Sequence, residues 1–183
     1  MAHIEIDKHD WWKAKEIPLI ETDWRNIRVY CEQSENPFDW ERCLYVIRLA
    51  PPYALTYGDD AKHNLTSPLL YVGSGNIQQR WSSHREWLYE LGHAIPGGRY
   101  EVWVCQPRSR NNAAVYADIE ADILNYFSAK TNGWLPLRNL RREYSQRSHT
   151  YEDGLFDEII RDDRRYLWAM YPTRGSVVDS YNR

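Results

Sequence analysis

Three short runs of apolar and β-branched residues predict the strands of this chain. They are CLYVIRL (Cys43–Leu49), LLYVG (Leu69–Gly73) and RYEVWVCQ (Arg99–Gln106). Residues 50–68, between the first two runs, contain three prolines, and we expect a long connection there.

Apolar residues at helical spacing predict three helices. The first runs from about residue 76 to about residue 92, the second covers Ala113–Phe127, and the third covers Leu155–Trp168. Asn111 or Asn112 is expected to cap the second helix. The order strand, strand, helix, strand, helix predicts an α+β fold, in which a small three-stranded sheet is flanked by helices.

The predicted core covers residues 42–141 and has an extension at each end. Residues 1–41 are polar but contain four tryptophans, which favours an ordered extension that packs on the core. Residues 142–183 are expected to form a C-terminal helical extension. The total length of 183 residues suits one compact domain.

The distribution of charge matters more than its sum. The formal net charge is −3, which does not by itself indicate a nucleic-acid binder. Arginines nevertheless cluster in RNLRREYSQR (Arg138–Arg147), and acidic residues collect in Glu152–Glu158. The net charge alone therefore does not exclude DNA binding.

The cysteines and the hydropathy exclude other classes. Cys31, Cys43 and Cys105 form no CxxC pair, so there is no zinc signature. No apolar run reaches the length of a membrane span, and the N-terminus lacks the apolar core of a signal peptide. These features predict a reduced cytoplasmic protein with no membrane segment.

The first predicted helix carries a histidine within its apolar stripe. The stripe consists of Ile77, Trp81, Leu88 and Leu91. His84 falls inside this stripe, and Arg80 lies at its edge one turn earlier. For this pair taken alone, a core histidine with a snorkelling arginine is the simpler explanation.

The second predicted helix carries one acid close to its apolar stripe. The stripe consists of Tyr116, Ile119, Ile123 and Phe127. Glu120 points within about a quarter turn of the stripe centre, whereas Asp118 and Asp122 are expected to face solvent. Burying a carboxylate is costly unless it is paired or binds a cation, so Glu120 is a functional candidate. The alternative is a rim glutamate that is paired with an arginine.

The glycines after the second strand do not form a nucleotide-binding loop. Gly73-Ser74-Gly75 lacks the third glycine of G-x-G-x-x-G and the G-K-[ST] ending of a P-loop. A nucleotide-binding regulator is therefore disfavoured.

Taken in order, these pieces resemble the GIY-YIG nuclease family over about residues 42–141. Cys43-Leu44-Tyr45 and Tyr71-Val72-Gly73 occupy the positions of the two strand motifs. The residues that match the family's later motif positions are Arg80, His84, Glu120 and Asn139, the last within Pro136-Leu137-Arg138-Asn139. The chain departs from the pattern at Cys43, where the family has glycine, and in the greater lengths between its motifs.

The resemblance implies an endonuclease that hydrolyses phosphodiester bonds with Mg²⁺ (or Mn²⁺). Glu120 would be the protein's metal ligand, with water and the scissile phosphate completing the coordination. Arg80 would stabilise charge at phosphorus, and Tyr45 would be the general base. Ordinary strand aromatics are the simpler explanation of Tyr45 and Tyr71 taken alone.

The remaining motif residues have supporting roles in this hypothesis. Tyr71 and His84 would hydrogen-bond Tyr45 or the attacking water, and Asn139 would orient the site. The side chains expected to bind DNA phosphates are Arg138, Arg141 and Arg142; pairing with acids such as Glu143 is the alternative.

The sequence thus predicts a DNA endonuclease, and its compact length together with His84 favours a restriction-like or defence role. The competing class is a non-catalytic DNA- or protein-binding module with the same fold. The oligomeric state stays open, with a dimer as one option.

Overall fold

The structure is a computed structural model, which describes part of the chain. The described residues are 5–6, 11–13, 16–25, 27, 40–58, 65–106, 113–141, 144–161, 166 and 168–170. They form a mixed α and β fold with a central antiparallel sheet.

The central sheet contains all three predicted strands. They are β4 (Cys43–Leu49), β7 (Leu69–Gly75) and β8 (Arg99–Cys105), and β4 lies between the other two. Every residue of β4 is buried, as expected for a central strand, and the one charged residue, Arg48, lies over the Trp103 ring at 3.9 Å from its centroid. In this sheet β7 is an edge strand, and the candidate site lies beside it.

The prediction of only three strands is wrong, because the N-terminal residues extend the sheet. β2 (Trp11–Lys13) and β3 (Ile17–Pro18) both pair antiparallel with β8. The sheet therefore runs β2-β8-β4-β7, with β3 as a fifth strand on β8. Two or three residues are too few to reveal a strand by periodicity.

Residues 50–68 also contain more structure than the predicted connection. Within their described part, β5 (Tyr53–Tyr57) and β6 (Leu65–Ser67) pair antiparallel. β10 (Trp168–Met170) pairs parallel with β5. Elsewhere, β1 (Glu5–Ile6) pairs parallel with β9 (Thr150–Tyr151).

The two long helices are confirmed, with bounds slightly longer than predicted. They are α1 (Ile77–Ala94) and α2 (Ala113–Lys130). The Asn76 side chain caps α1 by accepting a hydrogen bond from the Gln79 N–H at 2.9 Å. Asn111 and Asn112, the expected caps of α2, lie outside the described residues. Neither α1 nor α2 has the apolar length that crossing a membrane requires.

The C-terminal helix is shorter than predicted. α3 covers Leu155–Ile160, whereas Trp168 lies in strand β10. Residues 162–165 and 167 lie outside the described part. At Trp168, strand pairing with β5 thus takes the place of the helix that the apolar spacing predicted. Sequence alone does not show this pairing.

The long helices pack against the sheet with the predicted apolar stripes. On α2, all four stripe residues, Tyr116, Ile119, Ile123 and Phe127, are buried. On α1, the ring of His84 contacts the rings of Tyr45 and Tyr71, with centroids 5.7 and 4.6 Å away. Both helices therefore reach the strands that carry the two tyrosines, α1 through the ring of His84 and α2 by packing on β4 and β7.

Candidate active site

The structure brings the six predicted site residues together beside strand β7. A pocket of about 550 Å³ is lined by four of them, Tyr71, Arg80, Glu120 and Asn139. The other two, Tyr45 and His84, are buried and contact Tyr71 from behind. Residues from two strands, two helices and a loop therefore contribute to one site.

His84 is a buried, neutral imidazole whose tautomer is fixed by a tryptophan. The side chain is 4% exposed, and the indole N–H of Trp87 donates to its Nδ1 at 3.2 Å. An indole N–H can only donate, so Nδ1 accepts and the single proton resides on Nε2. Burial, with help from Arg80 and Arg138, lowers the pKa of His84 to about 3.

This tautomer gives a direction to the hydrogen bond between His84 and Tyr45. The His84 Nε2–H lies 2.8 Å from the Tyr45 hydroxyl and donates to its oxygen. The Tyr45 ring also contacts the ring of Tyr71, with centroids 5.8 Å apart. Arg80 Nη1 approaches the Tyr71 oxygen at 3.5 Å. Two hydrogen bonds thus run from Trp87 through His84 to Tyr45, and the ring of Tyr45 contacts that of Tyr71, which borders the pocket.

Both phenols are protonated in the protein by itself. Burial raises the pKa of Tyr45 well above its ordinary value of 10.0, and the adjacent Tyr71 adds to the shift. Burial and the Glu120 carboxylate also raise the pKa of Tyr71, while Arg80 opposes this shift. A phenol could therefore act as a base only when additional positive charge is bound nearby.

Gly73 provides the space in which the Tyr71 ring lies. A Cβ at residue 73 would stand 2.5 Å from Tyr71 Cε1 and 2.8 Å from its hydroxyl oxygen. The two residues are two apart on β7 and share a face of the sheet, on which Tyr45 lies directly opposite Gly73. Any residue with a Cβ at position 73 would collide with the Tyr71 ring, which explains the glycine of this motif.

Glu120 is the carboxylate of the pocket, and a serine orients it. The Ser74 hydroxyl donates to Glu120 Oε2 at 2.7 Å. Glu120 is half-buried and reaches the pocket from α2, while Ser74 reaches it from β7. The described residues contain no group of three or more His, Cys, Asp or Glu side chains that could hold a metal. One carboxylate beside a hydroxyl suits Mg²⁺, which keeps several waters, and does not suit zinc.

Asn139 fastens the loop after α2 to the open edge of β7. Its Oδ1 accepts from the Val72 N–H at 2.9 Å, and its Nδ2 donates to the Val72 carbonyl at 2.8 Å. The Arg138 N–H donates to the Leu70 carbonyl at 2.9 Å. The loop therefore pairs with β7 much as another strand would, and its next residues are held at the pocket.

Of the arginines predicted to bind DNA, the two that the structure describes lie at the pocket. Arg138 and Arg141 line the pocket together with Arg80. Arg138 also lies over the Trp87 ring, 5.5 Å from its centroid. Arg142 is outside the described residues. Three guanidinium groups thus surround one carboxylate in a chain whose net charge is −3.

The expectation that Asp118 and Asp122 face solvent is wrong. Asp118 is 2% exposed because the segment 144–151 covers it. Its Oδ1 accepts from the Gln146 N–H at 2.6 Å, and its Oδ2 lies 3.3 Å from His149 Nε2. The Tyr151 hydroxyl donates to Asp122. These two acids anchor the C-terminal segment, which leaves Glu120 as the acid of α2 in the pocket.

Some residues of the site were not predicted from the sequence. Ser74 was noted only as part of the glycine loop, although its hydroxyl orients Glu120. Trp87 lies one turn after His84, and this spacing is the one signal that could have suggested their contact. Leu140 and Tyr144 also line the pocket, and nothing in the sequence distinguishes them.

No protein-family model, curated protein or solved structure matches the chain. The family suggested by the motifs therefore stays a prediction, and a function has to be argued from the chemistry of the site.

Proposed function

We propose that this protein is a metal-dependent endonuclease of the GIY-YIG type, which hydrolyses phosphodiester bonds in DNA. The observation that carries the proposal is the composition of one pocket. It combines a serine-bound carboxylate, the Tyr71 phenol packed against the hydrogen-bonded Tyr45 and His84, and three arginines. Each of these groups has a task in phosphodiester hydrolysis.

The arginines give the pocket a charge that suits phosphate. Arg80, Arg138 and Arg141 face the same space, where Glu120 is the only carboxylate among the lining residues that the structure describes. Guanidinium groups bind phosphate oxygens through paired N–H donors. An acidic protein could in this way bind DNA locally despite its net charge.

The phenols supply the groups that would handle the proton of the attacking water. Tyr71 borders the pocket, whereas Tyr45 has no exposed surface in the structure. The sequence suggested Tyr45 as the general base, and we extend this role to both tyrosines. Tyr71 would contact the attacking water, and Tyr45 would support Tyr71 from the buried side. Arg80, 3.5 Å from the Tyr71 oxygen, favours the phenolate that would accept this proton.

In the proposed reaction the water oxygen attacks phosphorus and the bond to the leaving oxygen breaks. Tyr71 first releases its phenolic proton to solvent, and the resulting phenolate then takes the proton of the attacking water. Arg80 holds a nonbridging oxygen as negative charge develops. Glu120, oriented by Ser74, would hold Mg²⁺ or Mn²⁺. When bound, such a cation supplies charge neutralisation at phosphorus and help for the leaving oxygen.

The test is incubation of the purified protein with supercoiled plasmid. We expect nicked and linear products with Mg²⁺ or Mn²⁺, no products in EDTA, and recovery when Mg²⁺ is added in excess. A protein that binds the plasmid without cutting it under any of these conditions would instead be the non-catalytic binding module.

A further inference from the structure

Two large apolar side chains that line the pocket are mostly exposed to water. Leu140 is 60% exposed and Tyr144 is 84% exposed. Two other large apolar side chains in the described chain are exposed, Ile20 and Tyr89, and these line a different pocket. Two of the four exposed large apolar side chains in the described chain thus lie beside Glu120 and the arginines.

The fold does not account for this exposure. Burial of Tyr144 contributes little to the stability of the fold, since most of its side chain is exposed to water. Leu140 directly follows Asn139, whose two hydrogen bonds to Val72 fix the backbone at this position. Leu140 is therefore presented at the rim of the pocket by a fixed backbone. An apolar group that is held in water in this way suggests a partner that covers it.

The charges around these side chains indicate which kind of partner fits. Arg138 and Arg141 line the same pocket and suit phosphate groups, so the partner is anionic and has apolar surfaces. A nucleotide has both features, since its phosphate is charged and its base has two apolar faces. In a paired duplex the neighbouring bases cover those faces, so an aromatic ring can stack only where a base is unpaired or extruded.

We infer that Leu140 and Tyr144 bind an unpaired base next to the phosphate that is cleaved. The substrate class is then DNA with an unpaired nucleotide at the cleavage site, such as a bulge, a flap or a branch. Tyr144 stacks on the base, and Leu140 covers the adjacent step. This inference rests on the proposed nuclease function and adds a structural preference to it.

The test compares two DNA ligands in the absence of divalent metal. One is a fully paired duplex with ends closed by non-nucleotide linkers, and the other is the same duplex with one bulged nucleotide. We expect Tyr144→Ala to weaken binding of the bulged duplex about tenfold, in line with the loss of one stacked base. Binding of the paired duplex should stay the same. Tyr144→Phe, which keeps the ring, should bind both duplexes as the unchanged protein does.

The matched control is Tyr89→Ala, which removes a tyrosine that is 47% exposed and lines the other pocket. It should alter neither affinity, and circular dichroism should show all three variants folded. Equal affinity of the unchanged protein for the two duplexes would overturn the inference, as would a Tyr144→Ala variant that weakens both equally. Plasmid cleavage that persists alongside such a result would leave the nuclease proposal standing. A Tyr144-dependent preference for the bulge without cleavage under any condition would support the base site and contradict the nuclease.

Discussion

Acid should destabilise the folded protein through His84, and replacing this histidine should remove the effect. The imidazole is buried and neutral, with Nδ1 accepting from Trp87 and Nε2 facing Tyr45. A second proton would have to displace the Trp87 hydrogen bond and would place a charge near Arg80 and Arg138. His84→Gln removes the titration and keeps an amide at this position, which can both donate and accept.

The pKa of His84 sets the size of this effect. It lies at about 3 in the folded protein against an ordinary value of 6.5, so between these values the unfolded chain binds a proton that the folded chain does not. The contribution of His84 to stability is therefore complete above about pH 6.5 and is lost as the pH falls toward 3. Linkage gives a loss of about 2 kcal/mol between pH 7 and pH 5.

Urea denaturation of both proteins at pH 7 and pH 5, followed by tryptophan fluorescence, measures this difference. The unchanged protein should lose about 2 kcal/mol more than His84→Gln over this interval. His93→Gln, which removes an exposed histidine of α1, is the control and should keep the full loss. Equal losses for His84→Gln and the unchanged protein would refute the buried neutral imidazole. A proton found on Nδ1 by nitrogen NMR would refute its tautomer.

Four other variants test the geometry of the pocket. Tyr71→Phe and Tyr45→Phe are each expected to lower the single-turnover cleavage rate about a hundredfold or more, and a normal rate for Tyr45→Phe would leave Tyr71 as the one phenol required. Gly73→Ala should displace the Tyr71 ring and lower the same rate by up to about a hundredfold. The midpoint of thermal unfolding should change little. Full activity of this variant would show that the position of the ring is unimportant. Replacing both Arg141 and Arg142 by Ala should weaken binding of duplex DNA of any sequence and reduce the salt slope of log K by roughly 0.9 for each phosphate that the variant no longer binds. An unchanged slope in titrations at several salt concentrations would assign these arginines to the fold.

The elements that were predicted correctly are long enough for their apolar residues to show the period of a strand or a helix. The strands β4, β7 and β8 each contain seven residues, and α1 and α2 each contain eighteen, so their periodicity is visible. The missed strands have two to five residues. Several of them pair with residues far away in the chain, and such pairing leaves no local signal.

The same reasoning explains what was missed in the site. The order of the motifs predicted six residues that the structure brings together, because motif positions follow the long elements. The wrong orientation of Asp118 arose because the periodicity of α2 contains no information about the segment 144–151 that covers this helix. Trp87 was missed because its role depends on the direction of one indole N–H, which only coordinates reveal.

The most direct test of the proposed nuclease is the cleavage rate of Glu120→Gln with Mg²⁺ under single-turnover conditions. This change keeps the size of the side chain and its capacity to accept from Ser74, and removes the charge that would hold the cation. Glu86→Gln, which changes an exposed glutamate of α1 in the other pocket, is the control. We predict a rate lowered about a hundredfold or more for Glu120→Gln, with the fold and DNA affinity retained and Glu86→Gln fully active. Cleavage by Glu120→Gln at the normal rate would contradict the assignment of this pocket as the catalytic site.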